Sequence, residues 1–266
     1  MTSVEVSGRS LNYVRRGRGE PLLMIQGMSA THLAWGHPFS SLLEQSFACI
    51  AFDNRGMGRS GPAGEQFTIT DLAGDALGLL DALEIERANV VGISMGGMVA
   101  QELALGNPDR VSSLTLGATY CGGPGSRLMD PADLGGLVKA MASGDRGQVI
   151  RAMWELNLSP TFRQDENRFG PFAEMAEALP SRRETIGFQM QAITHHDTST
   201  RLADLKPPTL VLHGTEDRVL NVVNGRLVAS RIPARLELLE GVGHMFWWER
   251  PEHSATLVRD HALVHA

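Results

Sequence analysis

Three short segments carry the residues that could do chemistry. In Gly92-Ile93-Ser94-Met95-Gly96 a serine lies between the β-branched run Ala88 to Ile93 and a stretch, Met95 to Leu105, whose apolar residues repeat at helical spacing. A serine between strand and helix sits on a very tight turn that crowds the positions two residues before and after it, and both are glycine. The hydroxyl is then raised at the carboxyl end of the strand, and the Met95 amide, first in the following helix, points at any oxyanion formed on an attacked carbonyl. The pentapeptide alone also marks ordinary turns.

A serine hydroxyl is a weak nucleophile at neutral pH, so it needs an imidazole base and a carboxylate that orients the base. The second half of the chain offers one of each just beyond a strand. Asp217 follows His213-Gly214-Thr215-Glu216, and His244 closes Gly241-Val242-Gly243. After the run ending at Gly117 come Ala118, Thr119 and Tyr120, so that loop holds no rival carboxylate.

The elements that must position these groups alternate. Leu11 to Arg15, Pro21 to Gln26, Phe47 to Asp53, Ala88 to Ile93 and Val111 to Gly117 read as strands. Leu33 to Glu44, and a stripe from Ile69 through Leu83 opened by a Thr68-x-x-Asp71 cap, read as helices. The alternation predicts a parallel sheet with helices on both faces. It breaks at Tyr120 and resumes at Lys206-Pro207-Pro208 with a strand over Thr209 to His213, a mostly helical Val219 to Ile232, a strand over Leu236 to Leu239 and a closing helix from Pro251 to Leu263. The expected organisation is a core of residues 1–120 and 206–266, interrupted by a helical insertion, 121–205, that covers the carboxyl edge as a lid.

Together, the elbow, Asp53-Asn54-Arg55-Gly56-Met57-Gly58-Arg59-Ser60, the Gly214-x-x-Asp217 segment and the Gly241-x-Gly243-His244 segment resemble the α/β-hydrolase fold, in the branch of bacterial esterases, enol-lactone hydrolases and cofactor-free haloperoxidases. The resemblance spans residues 10 to 263 and is weakest in the insertion. It implies an α/β fold with a mostly parallel eight-stranded sheet. It also implies Ser94 as nucleophile, His244 as general base and then acid, Asp217 as orienting carboxylate, and the backbone amides of Met28 and Met95 as oxyanion hole. The chain departs from the family at Gln26, where a histidine usually precedes the glycine.

The implied reaction is hydrolysis of a carboxylic ester or lactone through an acyl-enzyme, with a small-molecule substrate and no metal or organic cofactor. Perhydrolysis with cofactor-free halogenation, or acyl transfer, uses the same three residues, and a small-molecule receptor could keep them too. Relatives that act on halides and epoxides place aspartate at the nucleophile position, which here is serine. Gln26, Gly27, Trp154 and Phe246 are the expected substrate contacts, within a mainly apolar pocket. Arg127, Arg151, Arg163 and Arg168 either recognise an acidic substrate or solvate the helices of the insertion.

Other features point away from other functions. The formal charge of −6, without a long basic run, argues against nucleic acid or an anionic membrane as main partner. Residues 1 to 20 hold Glu5, Glu20 and four arginines, and no later segment has eighteen uninterrupted apolar residues, so a soluble cytoplasmic protein is expected. Gly56-Met57-Gly58-Arg59-Ser60-Gly61 satisfies a dinucleotide fingerprint, but Pro62-Ala63-Gly64 stands where its helix must start. His261 and His265 lack a carboxylate partner for a metal, His195-His196-Asp197 diverge too much in direction to form a triad, and Cys49 and Cys121 read as core residues. Nothing in the sequence speaks to oligomeric state.

Overall fold

The computed structural model describes residues 2–179 and 182–265. Strands β1 (Thr2–Val6), β2 (Arg9–Arg16) and β3 (Glu20–Ile25) lead to α1 (His37–Leu43), β4 (Phe47–Phe52), α2 (Ile69–Ala82), β5 (Ala88–Ile93), α3 (Met95–Gly106) and β6 (Val111–Gly117). Four helices follow without a strand among the described residues: α4 (Pro131–Ala142), α5 (Arg146–Asn157), α6 (Phe169–Glu177) and α7 (Arg183–Thr194). The chain then completes the sheet with β7 (Thr209–Gly214), α8 (Val223–Arg231), β8 (Ala234–Leu239), α9 (Phe246–Glu249) and α10 (Pro251–Val264).

The eight strands lie in the order β1-β2-β4-β3-β5-β6-β7-β8. The pairs β1–β2 and β2–β4 are antiparallel, and all other neighbours are parallel. Successive side chains of the inner strands feed opposite faces, as the two-residue period requires. Leu23, Ile25, Ile50 and Val90 join the layer under α2 and α3, while Leu22, Met24, Cys49 and Val91 join the layer with Phe39 of α1 and Val258 of α10. Both faces being covered, β4 and β5 are buried at every position; β4 is accordingly apolar throughout, and the one polar side chain of β5, Asn89, accepts from the Ser113 hydroxyl at 2.6 Å. Burial, with Glu44 nearby, pushes the Cys49 thiol up to about 12.

One strand was not expected, and two expected helices differ. β1 left no apolar signal because only Val6 of this strand is buried; it is held as an edge hairpin by the left-handed pair Ser7 and Gly8. The helix expected over Leu33 to Glu44 breaks at Gly36, whose φ of 68° separates a 3-10 turn, His32–Trp35, from α1. The break leaves the Ala34 carbonyl to the indole N–H groups of Trp247 and Trp248, each at 2.8 Å. The helix expected from Val219 begins only at Val223, because Asp217 Oδ1 accepts the Val219 and Leu220 amides at 2.8 Å and holds that stretch as a turn. The α2 cap is formed as expected: the Thr68 hydroxyl accepts the Asp71 amide, and the Asp71 carboxylate accepts the Thr68 amide.

Candidate active site

The parallel register brings the ends of the central strands to one edge. Ile25 pairs with Gly92, Ile93 with Gly117, Gly117 with Leu212, and Gly214 with Leu239. Each sequence-predicted group follows one of these ends: Gln26 to Met28 after β3, Ser94 after β5, Asp217 after β7 and His244 after β8.

Ser94 has φ 57° and ψ −122°, a backbone region that an L residue enters only when its surroundings force it. The forcing contacts are specific. A side chain at 92 would run into the Gly96 carbonyl, and one at 96 into the Ile25 carbonyl, so both positions require glycine. The Ser94 amide donates to Gly117 O at 2.9 Å, and the Thr119 hydroxyl donates to Ser94 O at 2.7 Å, which fixes the turn from the neighbouring strand. Ser94 remains partly exposed among buried neighbours.

Gly27 comes close to this hydroxyl: a β-carbon built on it would lie 3.5 Å from Ser94 Oγ. The loop beyond β3 is therefore beside the nucleophile, and its amides are mostly occupied. Gly27 N–H donates to Gln26 Oε1 at 3.1 Å, Ser29 N–H to Gln189 Oε1 at 2.9 Å, and Ala30 N–H to Gly27 O at 3.4 Å. Among the described residues the Met28 amide has no such acceptor. The Met95 amide, first in α3, has no intrahelical acceptor either. Gln26 is turned back on its own loop and buried, and Asn54 Nδ2 donates to its carbonyl at 3.3 Å. The loop after β4 is tied in the same way: the Asp53 carboxylate accepts from Asn12, from the His32 ring and amide, and from the Arg59 amide. Burial pushes the Asp53 carboxyl up, but these hydrogen bonds outweigh it and hold it below the usual range.

His244 Nδ1 lies 2.7 Å from Asp217 Oδ2. Asp217 is fully buried and accepts two backbone amides on Oδ1, so its remaining oxygen is aimed at the imidazole. Burial alone would raise its carboxyl; the His244 charge and the hydrogen bonds from His213 and His244 outweigh burial and hold it well below the usual carboxylate range. With Nδ1–H donated to a carboxylate, Nε2 of a neutral His244 is the bare nitrogen, the tautomer a general base needs. Among the described residues no hydrogen bond links Ser94 Oγ to His244, a contact that commonly tightens only when substrate binds.

Two expected substrate contacts lie elsewhere. Trp154 is 1% exposed at the centre of the insertion, enclosed by Phe162, Phe169 and Phe172 at ring distances of 5.9, 5.7 and 5.3 Å. Phe246 is fully buried against Gly117 and Trp247 in the core layer with α1 and α10. Neither ring has surface left for a substrate, because each fills a core. The arginines Arg151 and Arg168 also serve the insertion: Arg151 pairs with Glu166 at 3.0 Å and lies over the Phe169 ring, and Arg168 pairs with Asp165 and lies over Phe162.

Sequence reasoning missed the residues that fasten the edge. Gln189, Thr119 and Glu249 each have a partner 25 residues or more away, while His213 lies four before Asp217. Glu249 receives the Ser159 amide and hydroxyl at 2.7 and 2.6 Å and the Gly243 amide at 2.9 Å, tying the loop of His244 to the end of α5. No periodicity or motif marks such contacts; only His213, beside the Gly-x-x-Asp segment, stood in a stretch already singled out.

The family model described as alpha/beta hydrolase fold matches residues 20–251, and the chain belongs to that family. A poly(3-hydroxyalkanoate) depolymerase from Ectopseudomonas oleovorans is 31% identical over 277 aligned positions that cover 99% of this chain and 95% of that protein. A 3-oxoadipate enol-lactonase from Acinetobacter baylyi is 28% identical, covering 91% of this chain and 89% of the other. Among solved structures, the enol-lactonase from Burkholderia xenovorans LB400 superposes with a TM-score of 0.85 at 26% identity, over 99% of this chain and all of that one. These relatives are hydrolases. No helix among the described residues is long and apolar enough to cross a membrane.

Proposed function

We propose that this protein hydrolyses a carboxylic ester or lactone of a small molecule through an acyl-enzyme on Ser94. His244 Nε2 takes the Ser94 proton as Oγ attacks the carbonyl carbon. The carbonyl oxygen becomes an oxyanion held by the Met28 and Met95 amides. His244 then gives its proton to the departing alkoxide, and the ester C–O bond breaks. Water adds to the acyl-enzyme with His244 again as base, and the acid leaves as the Ser94–acyl bond breaks. Asp217 stays ionised throughout and steadies the imidazolium.

The observation that carries this reading is the buried 2.7 Å pair of His244 Nδ1 and Asp217 at the edge where Ser94 is held in a strained elbow. The named activities of the relatives, a depolymerase of a polyester and an enol-lactonase, support an ester or lactone as the bond class. Residues 121–205 act in this reading as a lid over the edge, and its inner surface, not Trp154 or Phe246, selects the acyl and alcohol groups. Gln26 and Gly27 shape the floor beside the nucleophile, Gly27 by leaving room at Oγ. The expected result for Ser94→Ala is loss of turnover of a short p-nitrophenyl ester by at least roughly 10⁴-fold with folding intact; retained turnover would refute the assignment.

A further inference from the structure

His213, at the end of β7, is fully buried beside Asp217, and its Nε2 has two neighbours. Asp217 Oδ2 lies at 3.1 Å and the Leu220 carbonyl at 2.7 Å. Both are acceptors, so the ring's proton is on Nε2. Nδ1 faces Gly225 of α8, where a β-carbon would meet it at 2.6 Å, and has no hydrogen-bond partner. The ring is therefore a donor through Nε2, with Nδ1 unpartnered in the core.

The Asp217 carboxylate accepts four donors in consequence: Val219 and Leu220 amides on Oδ1, His244 Nδ1 and His213 Nε2 on Oδ2. The oxygen that serves the catalytic imidazole is thus shared with a second imidazole. We propose that His213 is a positioning residue for the His244–Asp217 pair: its shared N–H fixes the carboxylate plane and takes up part of its charge, so that His244 meets a weaker acceptor than an unshared carboxylate would be. This rests on the reading of Ser94, His244 and Asp217 as a triad.

Few other charges bear on the cluster. Asp217's own loop carries Glu216 and Arg218, both exposed, the latter paired with Asp133 of α4. The segment that carries His244 holds Glu240, which is exposed, and Glu249, engaged with Ser159 and Gly243. α8 presents Gly225, and β8 pairs Leu238 with His213. An effect of His213 on the pH profile is therefore separable from these groups by its own substitution.

The sign of the effect is definite. Removing the His213 donor leaves Oδ2 a stronger acceptor for His244 alone, which favours the imidazolium and moves the acidic limb of kcat/KM to higher pH. Mere loosening of Asp217 would do the reverse. The test measures kcat/KM against pH for a short p-nitrophenyl ester with the wild type, His213→Leu and His213→Gln. The expected result is an acidic limb raised by roughly half to one pH unit in His213→Leu, with KM little changed. His213→Gln, which carries an N–H at similar reach, restores the wild-type limb. An unmoved limb in His213→Leu, or one moved to lower pH, overturns the proposal.

Should His213→Leu fail to fold, histidine ¹⁵N spectra of the wild-type protein at about pH 7 decide. A His213 proton on Nε2 supports the proposal, and one on Nδ1 overturns it. A Ser94→Ala variant that keeps turnover defeats the triad reading and this proposal with it; an unmoved limb in a Ser94-dependent enzyme defeats this proposal alone.

Discussion

The carboxyl edge of the sheet and the outer part of the helical insertion between β6 and β7 are built on different plans. At the edge, Asp217 has every acceptor site filled, Ser94 is held in a strained conformation by backbone neighbours, and the loops beyond β3 and β4 are cross-tied through Asn54 and Asp53. In the insertion Trp154 gathers Phe162, Phe169 and Phe172 in a cluster continuous with the core layer of α1 and α10, while the first helix, α4, buries no residue at all. Leu134, Val138 and Met141 of that helix are exposed. The insertion is joined to the rest of the chain by polar contacts, among them Ser159 and Glu249, Gln189 and the Ser29 amide, Arg218 and Asp133, and Arg182 with the Gly56 carbonyl at 3.1 Å. Apolar packing joins it as well: Phe172 lies against Trp248 at 5.9 Å, Phe188 against Phe67 at 6.1 Å, and Ala192, Ile193, Leu202 and Leu205 join the layer under α2 and α3. The edge is thus cross-tied throughout, while the first helix of the insertion stands largely exposed.

That difference can be sharpened by substitution. The largest effect is expected at the edge, where Asp217→Asn removes the charge that stabilises the imidazolium and permits the wrong tautomer of His244. Turnover of a p-nitrophenyl ester should fall by about 10⁴-fold in the folded variant; a loss below about tenfold would mean that Asp217 does not orient the base.

At the seam between the two regions the effect should be intermediate. Glu249→Ala leaves the buried Ser159 and Gly243 amides without their acceptor and should cost about 1–3 kcal/mol in urea unfolding. Burial raises the Glu249 carboxyl above its usual value against the hydrogen bonds it accepts. A raised carboxyl binds its proton more tightly in the folded chain than in the unfolded one, so its contribution to stability is present at low pH and is lost as pH rises through the raised value. Glu249→Gln keeps an acceptor for both amides and cannot ionise. Its stability relative to wild type should therefore increase between about pH 4 and about pH 7; a constant difference would show that the charge is not strained there.

The smallest effect belongs to the insertion's outer helix. Val138→Ser on α4 should change stability by no more than about 0.5 kcal/mol, since that side chain is 54% exposed. A larger loss would show that α4 is covered in solution and that the contrast between the two regions is overdrawn.

The same contrast explains what could be read from the chain. The elbow was legible because the steric demand at 92 and 96 admits only glycine, and β4 was legible because burial on both faces leaves nothing but apolar residues, with β5 departing from that only at Asn89. Asp217 and His244 were legible because each follows a strand end by a short loop. The rest depended on contacts distant in sequence. Trp154 and Phe246 look alike as aromatic candidates, and only packing shows that both are buried in one core layer, Trp154 against Phe172 and Phe246 against Trp247. Gln189 reaches Ser29 across 160 residues, and Gly36 breaks a helix whose apolar pattern runs through it. Where a local steric or burial rule dictates the residue, the sequence speaks; where a partner arrives from another element, it does not.

The central claim, that Ser94 is an activated nucleophile at this edge, is tested most directly by covalent labelling. Treatment with a fluorophosphonate followed by peptide mass analysis should place a single adduct on the peptide carrying Ser94, and Ser94→Ala should abolish it. An unlabelled wild-type chain, or an adduct on another residue, would contradict the account.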